Sequence, residues 1–188
     1  MPLMSFWKEF LSAFSEGLFS TRIETFSKAW ESSRNRTELY EGDLLRVVSE
    51  KMGLVFKNEE FKVDYTLCVQ GSDGYQVPAI FIESENVALS AHHEIRKLCC
   101  LNAPLKVLIV CAEWSNDSNT WKHGGHKNKL IQQWSKQIRE HNKVWPSPCI
   151  TGVIVAEWHE SLKYYAFAFD HFGEVVDEHR VIFEQKTS

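Results

Sequence analysis

Two short stretches decide the fold: Val63-Asp64-Tyr65, and Ala79-Ile80-Phe81-Ile82-Glu83-Ser84-Glu85. Each sets acid at the edge of an apolar run of strand character. Between them, Gly71-Ser72-Asp73-Gly74 is turn chemistry, so the runs read as the arms of a hairpin. Pairing them brings Asp64, Glu83 and Glu85 toward one another. Like charges that close raise each other's pKa unless a cation neutralises them. Carboxylate oxygens of this kind suit Mg²⁺ or Mn²⁺. The same acids also read as ordinary strand-end residues facing water.

Upstream of the hairpin, Leu54-Val55-Phe56 reads as a short strand. A helix precedes it from Thr37 to Met52 and stops at Gly53. Glu38, Glu41, Leu45, Val48 and Met52 share one face of that helix, so two carboxylates continue an apolar stripe toward the sheet edge. As helix-start acids they also favour the macrodipole. Residues 4–33 read as two amphipathic helices carrying Phe6, Trp7, Phe10, Leu11, Phe14 and Leu18, then Phe19, Ile23, Phe26 and Trp30. Thr21 and Glu24 have the spacing of a capping box. So dense an aromatic stripe needs a partner surface, either the main domain or a second copy in a homodimer.

Downstream, a helix from Val87 to Leu101 is stopped by Asn102-Ala103-Pro104. Leu105 to Cys111 is apolar enough to be buried on both faces, as parallel strands are. A polar loop, 116–125, leads to a helix from Lys127 to Asn142. Strands follow at Cys149–Trp158 and Lys163–Phe169, and a weaker one at Val175–Phe183. The order predicts an α/β fold: a mixed central β-sheet with helices on both faces, preceded by an N-terminal helical pair. The expected division is a helical appendage, 1–36, on an α/β domain, 37–188.

The chain of 188 residues is 44% hydrophobic and 24% charged, ordinary for a globular protein. No apolar run approaches the roughly 20 residues of a membrane span. The N-terminus lacks a basic region before an apolar one, so no secretory leader is expected. Five cysteines, an odd number without C-x-x-C spacing, predict a reducing, cytoplasmic compartment and no zinc site. A net charge of -4 excludes a globally basic nucleic-acid binder. Locally, Lys122, Lys127, Lys129, Lys136, Arg139 and Lys143 stand against the single acid Glu140, with Trp121 and Trp134 among them. Such a stretch serves a polyanion even in an acidic protein, or forms a solvated helix face.

In order of elements and acids, residues 37–111 resemble the core of the PD-(D/E)XK nuclease superfamily, the restriction-endonuclease-like fold. That core runs helix, three strands, helix, strand. Glu41 or Glu38 matches the family's helix acid, Asp64 its strand Asp, and Glu83 the first acid of its tripeptide. Glu85 stands where the family has Lys, and Val63 where it has Pro. Some members place Glu at that position, and others move the Lys to the following helix, where Lys97 is the candidate. Ala91, Ile95 and Leu98 define that helix's buried face, and Glu94 lies nearer to it than Lys97. Lys97 is therefore expected at the surface and Glu94 facing the site.

The resemblance implies phosphodiester hydrolysis, most often of DNA. Asp64, Glu83, Glu85 and the Ser84 carbonyl would hold Mg²⁺ or Mn²⁺, Glu85 would serve as base or ligand, and Lys122, Lys127, Lys129 and Lys136 would grip the nucleic-acid backbone. Two other readings stay open. One is a catalytically inactive member of the fold that binds nucleic acid or protein. The other is an interaction protein assembled through its aromatic helices.

Overall fold

A computed structural model describes residues 2–116 and 120–186. The elements in chain order are α1 (Leu3–Ser20), α2 (Ile23–Glu31), α3 (Ser33–Glu38), a π-helical segment (Leu39–Leu44), α4 (Leu45–Lys51), β1 (Val55–Asn58), β2 (Tyr65–Gln70), β3 (Gln76–Glu85), α5 (His92–Cys99), β4 (Leu105–Cys111), α6 (Lys127–Val144), β5 (Ile150–Trp158), β6 (Ser161–Asp170) and β7 (Val175–Lys186). The fold is α/β, and its seven strands form a mixed sheet in the order β1 to β7. The chain divides into two compact units, Met1–Phe81 and Ile82–Ser188.

In the first unit the aromatic stripe of α1 is spent internally. Phe6, Trp7, Phe10, Leu11, Phe14 and Leu18 are all buried. Trp7, Phe10 and Phe14 stack in sequence, with ring centroids 6.0 Å apart at each step. Burial of such large apolar side chains accounts for a helix that has neither an acidic first turn nor a side-chain cap. The expected capping box does not form. The Thr21 hydroxyl instead donates to the Gly17 carbonyl at 2.8 Å. The predicted Thr37–Met52 helix forms in three pieces, α3, the π-helical segment and α4. It ends as expected at Gly53, whose φ of +65° suits a residue without Cβ.

β1 pairs antiparallel with β2 from Val55↔Cys68 to Asn58↔Tyr65. β2 and β3 are neighbours joined by five residues, too few for a parallel crossover, so they form the expected hairpin. The Gly71 N–H closes it on the Tyr75 carbonyl at 2.7 Å.

In the second unit β4 runs parallel to β5 with α6 as the crossover. β5, β6 and β7 then form an antiparallel meander. β4 is buried from Leu105 through Val110, as its largely apolar run predicts, and Lys106 within it is buried too. Helix α5 is shorter than expected, because residues 88–91 form a turn before it. β7 is longer, reaching Lys186. Residues 117–119 of the expected polar loop lie outside the described residues. Among the described residues no helix is long and apolar enough to cross a membrane.

Candidate functional site

β3 alternates its side chains between two faces, so Glu83 and Glu85 share one face. Glu83 is 1% exposed. An isolated carboxylate at that depth would cost several kcal/mol. Lys97 supplies the counter-charge, its Nζ lying 2.8 Å from Glu83 Oε1. The Lys97 side chain is 38% exposed, so its ammonium reaches solvent from one side and Glu83 from the other.

Lys97, expected at the surface, is partly exposed and at the same time reaches Glu83. Helical angle alone places Lys97 on the flank of α5. A four-carbon stem carries its charge from that flank to the strand, the reach by which long cationic side chains cross apolar surface. Glu94 lies one turn earlier on the same flank. Its Oε2 is buried, with no hydrogen-bond partner among the described residues. His92 Nδ1 is also buried without a partner among them, while His93 is exposed. Glu85 is engaged locally, its Oε1 accepting the Val87 N–H at 2.9 Å.

In the first unit Asp64 stands one residue before β2 rather than inside it. Its carbonyl accepts the Glu59 N–H at 3.0 Å. The loop so closed holds Glu59, Phe61 and Lys62 at φ of 55°, 56° and 59°. Left-handed backbone costs a residue with Cβ roughly 1–2 kcal/mol, and strain of this kind collects where a fold fixes a particular side chain. Glu41 lies in the π-helical segment, where it accepts Asn58 Nδ2 at 3.0 Å and lies 3.7 Å from Arg46. The helix acid thus meets the end of β1. Glu38 is exposed between Arg34 and Lys28.

The basic stretch separates into two parts. Lys129 and Lys136 are exposed, with Lys143 a further seven residues on, opposite the buried Leu130, Trp134 and Ile138. That spacing makes one stripe along α6. Lys122 is exposed in the preceding loop. Lys127 instead lies beside the core, 3.2 Å from His179 Nδ1. Trp134 is fully buried and stacks on Trp114.

Glu157, on β5, is a site the sequence reading passed over. It is 3% exposed. Its Oε1 accepts the Trp114 N–H, the Ser115 N–H and the Trp121 indole N–H, each at 2.7 Å. Its Oε2 accepts the Tyr165 hydroxyl at 2.8 Å. Burial pushes its pKa up, but these four donors favour the ionised form more, and the carboxyl is held below its usual range. The carboxylate thereby fixes the loop that leaves β4. Gly125 completes that packing, since a Cβ there would meet the Ser115 carbonyl oxygen at 2.1 Å. The sequence signal was a lone acid ending an apolar strand run, Val153-Ile154-Val155-Ala156-Glu157, the pattern that singled out Glu83.

Among the described residues no three His, Cys, Asp or Glu side chains are grouped so as to hold a metal ion. What β3 offers is sparser: two carboxylates on one face with the Ser84 carbonyl between them in sequence. Mg²⁺ is commonly held so, by one or two carboxylates, with water and substrate phosphate completing its shell. The donor set fits a cation that keeps its water, and does not fit a caged one. No family model matches the chain, and no curated protein matches it.

Proposed function

We propose that the chain is a metal-dependent nuclease hydrolysing phosphodiester bonds, with DNA as its substrate, in a reducing, cytoplasmic compartment. The observation that carries this reading is the Glu83–Lys97 pair, a strand carboxylate joined to a lysine of the next helix. It supplies acid and cation together, although Glu85 occupies the position where the family has Lys. Glu83 and Glu85, with the Ser84 carbonyl between them, are the residues that would hold Mg²⁺ or Mn²⁺. When bound, the ion supplies Lewis-acid polarisation of the phosphate and a water of lowered pKa.

The chain's own groups do the rest. Lys97 is held by Glu83 and open to solvent, so it can turn its ammonium to a phosphate oxygen and stabilise charge developing on phosphorus. Glu94 presents a buried carboxylate oxygen one turn away and serves as general base for the attacking water. The stripe of Lys129, Lys136 and Lys143, with Lys122, attracts the polyanionic backbone.

The inactive binding module remains the second reading, favoured by one observation: Glu85 is spent on the Val87 N–H. Incubation of plasmid and single-stranded DNA with Mg²⁺, Mn²⁺ or chelator, beside Glu83→Gln, separates the two. The nuclease reading expects cleavage that requires metal and is lost in Glu83→Gln. Binding without cleavage in every condition overturns it.

A further inference from the structure

One face of the β5–β6–β7 meander is only partly covered. At one end α6 lies over it, where Trp134 stacks on Trp114 and Trp114 on Phe167. At the other end the paired rows Glu157↔Lys163↔Glu184 and Ser161↔Lys186 border an open cleft of about 320 Å³. That volume is at the lower end for small-molecule sites, about 300–1,000 Å³.

We infer that this cleft is a nucleobase subsite, which takes one unpaired base of a nucleic-acid strand and prefers bases bearing an exocyclic amino group. The nucleic-acid origin of the ligand rests on the nuclease reading, whereas the chemistry of the cleft does not. Its charges argue against a bare phosphate, since Lys163 and Lys186 face Glu157, Glu160 and Glu184 around the same space. A neutral ligand with N–H donors meets no such penalty.

Glu157 provides the acceptor. An ionised carboxylate has about four lone-pair sites. Three donors crowd Oε1, but among the described residues only the Tyr165 hydroxyl is on Oε2, so that oxygen retains capacity for one more N–H. A carboxylate accepting from an exocyclic amine is a known means of reading a base. Ser115 adds a hydroxyl at the wall, buried and without a partner among the described residues. The indole of Trp121 meets the His159 ring edge-on at 5.2 Å, and His159, exposed, offers a flat surface for stacking.

The test is a metal-free titration of the full chain with cytidine, adenosine, guanosine, thymidine and inorganic phosphate, read by the NMR resonance of the Trp121 indole N–H. Amino-bearing nucleosides should shift that resonance saturably in the millimolar range. Thymidine should bind at least fivefold more weakly, and phosphate should leave the resonance unmoved. Ser161→Trp, which fills the cleft, should abolish the shift with the rest of the spectrum preserved. His159→Ala, at an exposed position, should weaken binding severalfold. Glu83→Gln should leave nucleoside binding unchanged whatever it does to cleavage, so failure of the catalytic reading is distinguishable from failure of this one. No saturable shift, an equal response to phosphate alone, or full binding in Ser161→Trp would overturn the proposal.

Discussion

Glu83 and Lys97 differ in what each would leave behind. Removing Lys97 takes the counter-charge from a carboxylate that is 1% exposed, whereas removing the charge of Glu83 leaves an ammonium on a partly exposed side chain. Lys97→Ala should therefore lower stability by about 1–3 kcal/mol, and Glu83→Gln by less. Urea unfolding of the two variants checks this, and a larger loss in Glu83→Gln would show that the pair is not held as described. Asp64, Glu83 and Glu85 are conspicuous in the sequence because acids close otherwise apolar runs. The Glu83–Lys97 pair was not legible, because residue spacing gives the direction of Cα–Cβ and not the reach of a long side chain. Glu157 was passed over because its role depends on Trp114, Ser115 and Trp121, which lie some 40 residues earlier in the chain.

Among the elements, α1 and the meander make distinct demands. Phe10 is fully buried between Trp7 and Phe14, and no side chain caps the N-terminus of the helix it belongs to. Phe10→Ala should cost about 3–5 kcal/mol by opening a cavity, measurable as a shift in denaturation midpoint. A loss below 1 kcal/mol would mean that α1 is not held by this stripe. In the second unit, burial and then the charge of Lys127 hold the His179 pKa below the usual histidine range, and burial and then Lys106 do the same for His141. A folded pKa below the unfolded one means that the unfolded chain takes up the proton first as pH falls. Stability should therefore decline as pH drops through about 6.5, by at most about 1.4 kcal/mol per unit for each histidine. Glu157 adds acid sensitivity further down, because its depressed pKa gives stability that is lost as its carboxylate is protonated. Unfolding at pH 7.5, 6.5 and 5.5 tests the histidines: His179→Gln should flatten the slope, and a flat wild-type profile would contradict their assignment.

Most strands were legible, since β3, β4 and β5 each carry an apolar run of four or more residues, Ala79–Ile82, Val107–Cys111 and Val153–Ala156. Boundaries were not. Thr21 looked like a helix cap until the Gly17 carbonyl proved the nearer partner, and the Thr37–Met52 periodicity did not disclose its π-helical break. Both outcomes depend on local backbone competition, which residue spacing does not encode.

At the scale of the molecule, an acidic chain displays a basic stripe along α6, and its first unit spends its aromatic helix internally. An assembly made through the buried face of α1 would have to expose what now holds that unit together. The central claim is that Glu83 and Lys97 form the working core of a nuclease. The most direct measurement is the initial rate of plasmid cleavage in Mg²⁺ by wild type, Glu83→Gln and Lys97→Ala, each first shown to be folded at the assay temperature. The account predicts metal-dependent cleavage by wild type and a loss of at least about 100-fold in each variant, the size expected when a group stabilising transition-state charge is removed. Cleavage undiminished in both folded variants, or no metal-dependent cleavage by wild type, would contradict it.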